Sequence, residues 1–185
     1  FATQALSEAF AAPFLVAAAA IATALRLHDR QEAFLNVSPM KMGVALGAIL
    51  AFIFFLRLHL STALLLVALY AIWPQPMQRV RYLLLGALPV FLVGAGIDWY
   101  TWDYPLQSMV NHVYLNIFRR DELNFSTQPW WFYLGLPGAA WGLGLFIYGL
   151  FAYRGAREMP IFLLAAVVIF LTHSISAHKE TRYVF

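Results

Sequence analysis

The sequence predicts an all-α membrane protein: a polytopic transmembrane helical bundle of about six spans with one long, aromatic-rich extracytoplasmic loop. Three observations lead there. Of 185 residues, 62% are hydrophobic and 11% charged, against about 45–50% apolar and about 25% charged in an ordinary soluble domain. The mean hydropathy is +0.71. The apolar residues are also gathered into runs near the roughly 17–25 residues that a helix needs to cross a hydrocarbon core of about 30 Å. This composition excludes a disordered chain, and the absence of cysteine excludes a disulfide scaffold. Nucleic acid is excluded as a partner: the net charge of +3 comes from 12 basic and 9 acidic residues spread thinly, with no basic stripe.

Taken in order, the first span covers 9–25, entered at Ser7-Glu8, where an acid suits the positive end of a helix dipole. Its run Ala17 to Ala20 points to close helix packing. The apolar stretch 43–73 would be roughly 45 Å long as one helix, half as long again as the membrane is thick. Arg57 and His59 stand at its midpoint. A charge at bilayer depth costs about 2.5–3.5 kcal/mol or more, so the stretch is read as two spans, 43–56 and 60–73, with a break that lets these residues reach water. Pro74 and Pro76 close the second, and 83–97 forms the fourth span. Next comes a connection from 98 to 129, then spans at 132–153, ended by Arg154-Gly155, and 160–176, opened by Pro160. Pro13, Pro89 and Pro137 fall in or beside apolar runs, where kinks are tolerated if neighbours satisfy the freed carbonyls. Gly43 and Gly47 form a GxxxG helix-packing pattern.

This division sets sidedness. One face carries Arg26, Arg30, Lys41, Arg79, Arg81, Arg154 and Arg157; the other carries Arg57, Arg119, Arg120, Lys179 and Arg182. Seven Lys and Arg against five make the first face the better cytoplasmic candidate, while a single tilted span over 43–73 gives the opposite parity. The extracytoplasmic face then holds six of the nine acids: Glu8, Asp98, Asp103, Asp121, Glu122 and Glu180.

Chemistry has few places to reside. The connection DWYTWDYPLQSMVNHVYLNIFRRDELNFSTQP is crowded with aromatic rings. It reads as an interfacial belt with a short amphipathic helix near 105–118, or as a substrate-gripping loop in which rings stack sugars and carboxylates hold hydroxyls. Asp98 directly succeeds an apolar run, where it marks the water boundary, caps the next segment, or meets substrate. Arg57 has no acid near it in sequence and requires a carboxylate or a phosphate from elsewhere. After the last span, His178, Lys179, Glu180 and Arg182 lie within five positions. This set offers phosphate binding from the two cations and proton handling from the histidine. The five histidines are scattered, without metal-ligand spacing, and no nucleotide-binding or nucleophile-elbow motif occurs.

The tail HKETRYVF resembles the His-Lys-Glu-x-Arg-Phe signature of glycosyltransferase family 22, mannosyltransferases of the Alg9 and GPI-anchor type, with Tyr183 in place of phenylalanine. The stretch from Asp98 through Tyr104 and Leu115-Asn116-Ile117 to Pro129-Trp130-Trp131-Phe132-Tyr133 is similar to the luminal loop of that family. Ser7-Glu8 looks like its Ser-Asn-x-x-Glu region in shortened form, and Arg57 with Ser61-Thr62-Ala63 resembles its Arg-Pro-x-x-Ala stretch without the proline.

The resemblance implies a GT-C architecture and a glycosyltransferase that moves a mannose-like sugar, with inversion, from a polyprenyl- or dolichyl-phosphate donor to a glycan or lipid-linked acceptor at the extracytoplasmic face. It implies no cofactor and no metal. It assigns Glu8, Arg57, Asp98, His178, Lys179, Glu180 and Arg182 to substrate binding. The family's catalytic aspartate belongs to a His-Pro-Asp-Glu loop that does not occur here, so the chain, which opens on Phe1, reads as a piece with its base upstream. Membrane lipids are the remaining partners, in a bacterial inner membrane or the endoplasmic reticulum. The alternative is a transporter or flippase fragment with Arg57 and the tail lining a pathway.

Overall fold

The computed structural model describes residues 2–32, 36–114, 129, 131–132, 135, 142 and 144–175, including the side chains of all of these but 2–9, 145, 148 and 175. The described residues form helices and no strand. The chain divides into two units, Phe1–Asn111 and His112–Phe185.

The first unit holds α1 (Ala2–Asp29), α2 (Pro39–Leu56), a 3-10 turn (Leu58–Leu60), α3 (Ser61–Ile72) and α4 (Pro76–Trp102). The rings of Phe10 and Phe14 lie 6.3 and 5.1 Å from Phe52, which sets the early part of α1 beside the end of α2. Arg26, near the end of α1, donates from Nε to the Tyr70 carbonyl near the end of α3 at 2.9 Å. Phe91 of α4 packs on Phe54 and Phe55 of α2, with centroids 5.7 and 5.1 Å apart. Successive helices therefore run in alternating directions, with α1 parallel to α3 and α2 parallel to α4.

Small residues line the contacts. Ala18, Ala19, Ala22, Ala63 and Ala71 are buried with Leu25, Leu46, Ile53 and Val67. The closest approach joins α2 to α4: a Cβ on Gly47 would fall onto the Leu83 carbonyl, and one on Gly86 onto that of Val44. The GxxxG pattern of Gly43 and Gly47 is thus a real packing seam, dependent on backbones meeting without side chains between them. On the outer side of α4, Leu84, Leu88, Leu92 and Val93 are exposed, as befits a helix solvated by lipid.

Several helix ends differ from the predicted spans. α2 starts at Pro39, because Ser38 accepts from the Lys41 N–H at 3.4 Å and proline suits the first helical position. α4 runs from Pro76 to Trp102 and passes through Pro89. The hydrogen-bonded helix outlasts its apolar run at both ends, since polar residues continue a helix in the headgroup region at no desolvation cost. Among the described residues three helices are long and apolar enough to cross a membrane, Phe10–Asp29, Pro39–Leu56 and Pro76–Trp102, where six spans are expected over the whole chain. Leu58–Ile72 and Pro160–Ser174 are shorter apolar helices. At 1.5 Å per residue each is roughly 22 Å long, below the core thickness.

In the second unit, α6 (Gly144–Glu158) and α7 (Pro160–Ile175) meet at Met159. The expected end at Arg154-Gly155 is overrun by a turn: a helical glycine costs only about 1 kcal/mol. Arg157, in that last turn, donates to the Tyr153 hydroxyl at 2.6 Å and lies over its ring. Most of the predicted span 132–153 before Gly144 lies outside the described residues.

Candidate functional site

The polar residues of the first unit collect at the two ends of its helices. At the end shared by α1, α3 and the start of α4, Arg79 is 2% exposed. Its Nη1 donates to the Ala71 carbonyl at 2.9 Å, and Nη2 donates to the Leu25 carbonyl at 3.1 Å and to Asp29 Oδ1 at 2.5 Å. The guanidinium thus meets the carbonyl ends of two helices, where the dipoles favour a cation. In sequence Arg79 reads as a loop charge, since nothing local signals that three helix ends converge on it. This end is a structural clasp.

The opposite end holds Glu8, Arg57 and Asp98, three of the seven residues expected to bind substrate. α2 stops because Arg57 leaves the helical region, with φ −150° and ψ 85°, while its N–H still donates to the Ile53 carbonyl at 2.7 Å. Its own carbonyl accepts from Leu60 N–H at 3.0 Å, which closes the 3-10 turn. The break falls where the charge predicts it. The expected access to water is not found, because Arg57 is only 9% exposed and other groups of the protein engage it. A long apolar stem lets arginine pack among helix ends while its head is engaged by protein groups.

Asp98 lies on α4, and the helix continues past it to Trp102 instead of ending there. The helix stops at Asp103, whose φ of 66° is a left-handed cap and whose N–H donates to the Trp99 carbonyl at 3.0 Å. The chain then turns into α5 (Gln107–Val113), inside the range expected for a short helix. Asp98 is 7% exposed. Its Oδ2 accepts from the Ser108 N–H at 3.1 Å and from the Ser108 hydroxyl at 2.5 Å. Of the three readings open for Asp98, capping the next segment is therefore realised. Ser108 escapes sequence reasoning: its only signal is a hydroxyl ten residues past an acid, and that becomes meaningful only when the chain reverses. Around this reversal Trp99, Tyr100, Trp102 and Tyr104 are exposed.

Gly94 faces the Phe55 ring, which sets the last turns of α4 beside the end of α2. Arg57 and Asp98 therefore share one end of the unit. Glu8 belongs to the early part of α1, at that same end; its side chain is not among those described. His178, Lys179, Glu180 and Arg182 lie outside the described residues, as do 115–128 of the aromatic connection. An apolar groove of about 250 Å³ between α2, α3 and α4 includes Phe54 and Ser61, which flank Arg57 in sequence. Among the described residues no group of three or more His, Asp or Glu could hold a metal ion.

Apolar helices of spanning length, with their few polar side chains gathered at helix ends, define an integral membrane protein. The model of the Alg9-like mannosyltransferase family matches residues 1–185, so the chain belongs to that family, and with it to the glycosyltransferases. Comparison with curated proteins and with solved structures gives no match. No observation favours a transporter.

Proposed function

We propose that this chain takes part in moving a mannose-like sugar from a polyprenyl- or dolichyl-phosphate donor to a glycan or lipid-linked acceptor at the extracytoplasmic membrane face, with inversion at the anomeric carbon. The family match over residues 1–185 carries this reading. The placement of Arg57 and Asp98 at one end of the first unit supports it, and the neighbouring apolar groove offers a lipid-linked donor a compatible surface.

Transfer to a hydroxyl leaves a lipid phosphate, whose growing charge must be met by cations in a poorly solvated setting. Lys179 and Arg182 hold that phosphate, with His178 as a proton-bearing donor beside it. Glu180 and Arg57 complete the residues assigned to substrate binding. Asp98 and Glu8 contact sugar hydroxyls, for which carboxylates are bidentate acceptors. None of these residues is assigned as the base. The membrane is that of the bacterial cell or the endoplasmic reticulum.

Donor binding by the full-length protein tests the assignment. Lys179→Ala and Arg182→Ala should each weaken binding of polyprenyl-phosphate mannose about ten- to hundredfold, the worth of a charge-assisted hydrogen bond. Binding unchanged in both variants removes the phosphate role from the tail.

A further inference from the structure

We infer that Ser108 is a positioning residue for Asp98, and that the pair is a latch which both orients the carboxylate and holds the aromatic turn in place. The inference rests on the proposed function in one respect, that Asp98 meets a sugar. Its geometric basis is independent. The backbone N–H and the hydroxyl of Ser108 both donate to Oδ2, at 3.1 and 2.5 Å, and leave Oδ1 outside the clasp. Two donors converging on one oxygen hold Oδ2 from two directions and restrict the swing of the carboxylate about χ2 more than a single donor would. Because Asp98 is 7% exposed, water cannot replace either donor freely.

The latch joins residues ten apart in sequence across the turn 103–106 that connects α4 to α5. Between Trp102 and Gln107 the chain passes through two non-glycine residues with positive φ, Asp103 at 66° and Leu106 at 62°. Such residues are unfavourable and persist where surrounding contacts impose them. The local bonds are modest: Asp103 N–H to Trp99, Met109 N–H to Leu106, and Thr101 Oγ1 to the Ile97 and Asp98 carbonyls. α5 has only seven residues, too few to be stable alone. The Asp98 carboxylate supplies the acceptor that its first turn lacks, with an anion at the positive end of the helix. One buried acid on a long helix thereby anchors the turn that bears Trp102 and Tyr104, both largely exposed.

Substitution at Ser108 separates this role from a merely structural one. In the full-length protein, Ser108→Ala keeps the backbone donor and loses the hydroxyl, while Ser108→Thr keeps both. Amide hydrogen exchange across 107–113 should show about tenfold faster exchange for Ser108→Ala and wild-type rates for Ser108→Thr. Mannose transfer from polyprenyl-phosphate mannose should show a kcat about tenfold lower for Ser108→Ala, a donor KM within twofold of wild type, and rescue by Ser108→Thr. Unchanged exchange in Ser108→Ala overturns the latch. Altered exchange with unchanged kcat overturns the positioning role and leaves the latch. If the wild-type protein transfers no sugar from this donor, the functional reading and the positioning role fall together, and the exchange data alone decide the latch.

Discussion

Arg79 provides the most demanding test of the fold. Replacement by methionine keeps most of the volume and removes the guanidinium from its three acceptors, the Ala71 and Leu25 carbonyls and Asp29 Oδ1. Asp29 then keeps Gln75 Nε2 at 3.4 Å on Oδ1, while its Oδ2 is buried with no hydrogen-bond partner among the described residues. Breaking a buried ion pair from one side costs about 3–5 kcal/mol because a charge is stranded. The Asp29 side chain is 17% exposed, against 2% for Arg79, so some water reaches it and the lower end, about 3 kcal/mol, is expected. Two helix-end carbonyls each lose a donor worth about 1 kcal/mol, and this sum keeps the total within the same range. Adding Asp29→Leu to Arg79→Met removes the stranded charge and should restore at least about 1 kcal/mol. Arg79→Lys should recover little, since one ammonium cannot match a planar fork. Reversible unfolding of the full-length protein in mixed micelles measures all of these variants. An Arg79→Met variant within about 0.5 kcal/mol of wild type, or an additive double variant, would refute the clasp.

The glycine seam makes a paired prediction: Gly86→Ala must part α2 from α4 at the Val44 carbonyl and should cost about 1–3 kcal/mol, whereas at Gly96 a Cβ meets nothing within 4 Å and alanine should be neutral or stabilising. Thermal unfolding in detergent distinguishes them. Asp98→Asn, which keeps the shape and loses the charge that Ser108 serves, should lower sugar transfer about tenfold or more while leaving unfolding within about 1–2 kcal/mol. Activity and unfolding midpoint measured on one preparation check this.

The fold is legible in the sequence where a physical penalty is local. A charged residue in mid-run cannot stay in lipid, so the division at Arg57 is visible from where that charge falls in the apolar run, and GxxxG announces its seam. Which helix meets that seam is not visible, because Gly86 carries no mark that pairs it with Val44. Helix ends are misplaced for a related reason: hydropathy reports where lipid stops, while backbone hydrogen bonding continues through Arg79, Arg81 and Asp98 of α4. Arg79 and Ser108 are illegible because their roles arise only when distant helix ends converge. Burial of Arg57 reverses the expected exposure for the same reason, since a sequence shows the cost of lipid around a charge and not the protein groups that relieve it.

A choice between two donors tests the proposed transfer of sugar from a lipid phosphate. The purified full-length protein, given polyprenyl-phosphate mannose or GDP-mannose with a lipid-linked glycan acceptor, should extend the acceptor from the lipid donor alone and lose about tenfold or more of that rate on Arg182→Ala. Transfer from GDP-mannose with none from the lipid phosphate, or transfer indifferent to Arg182, would contradict it.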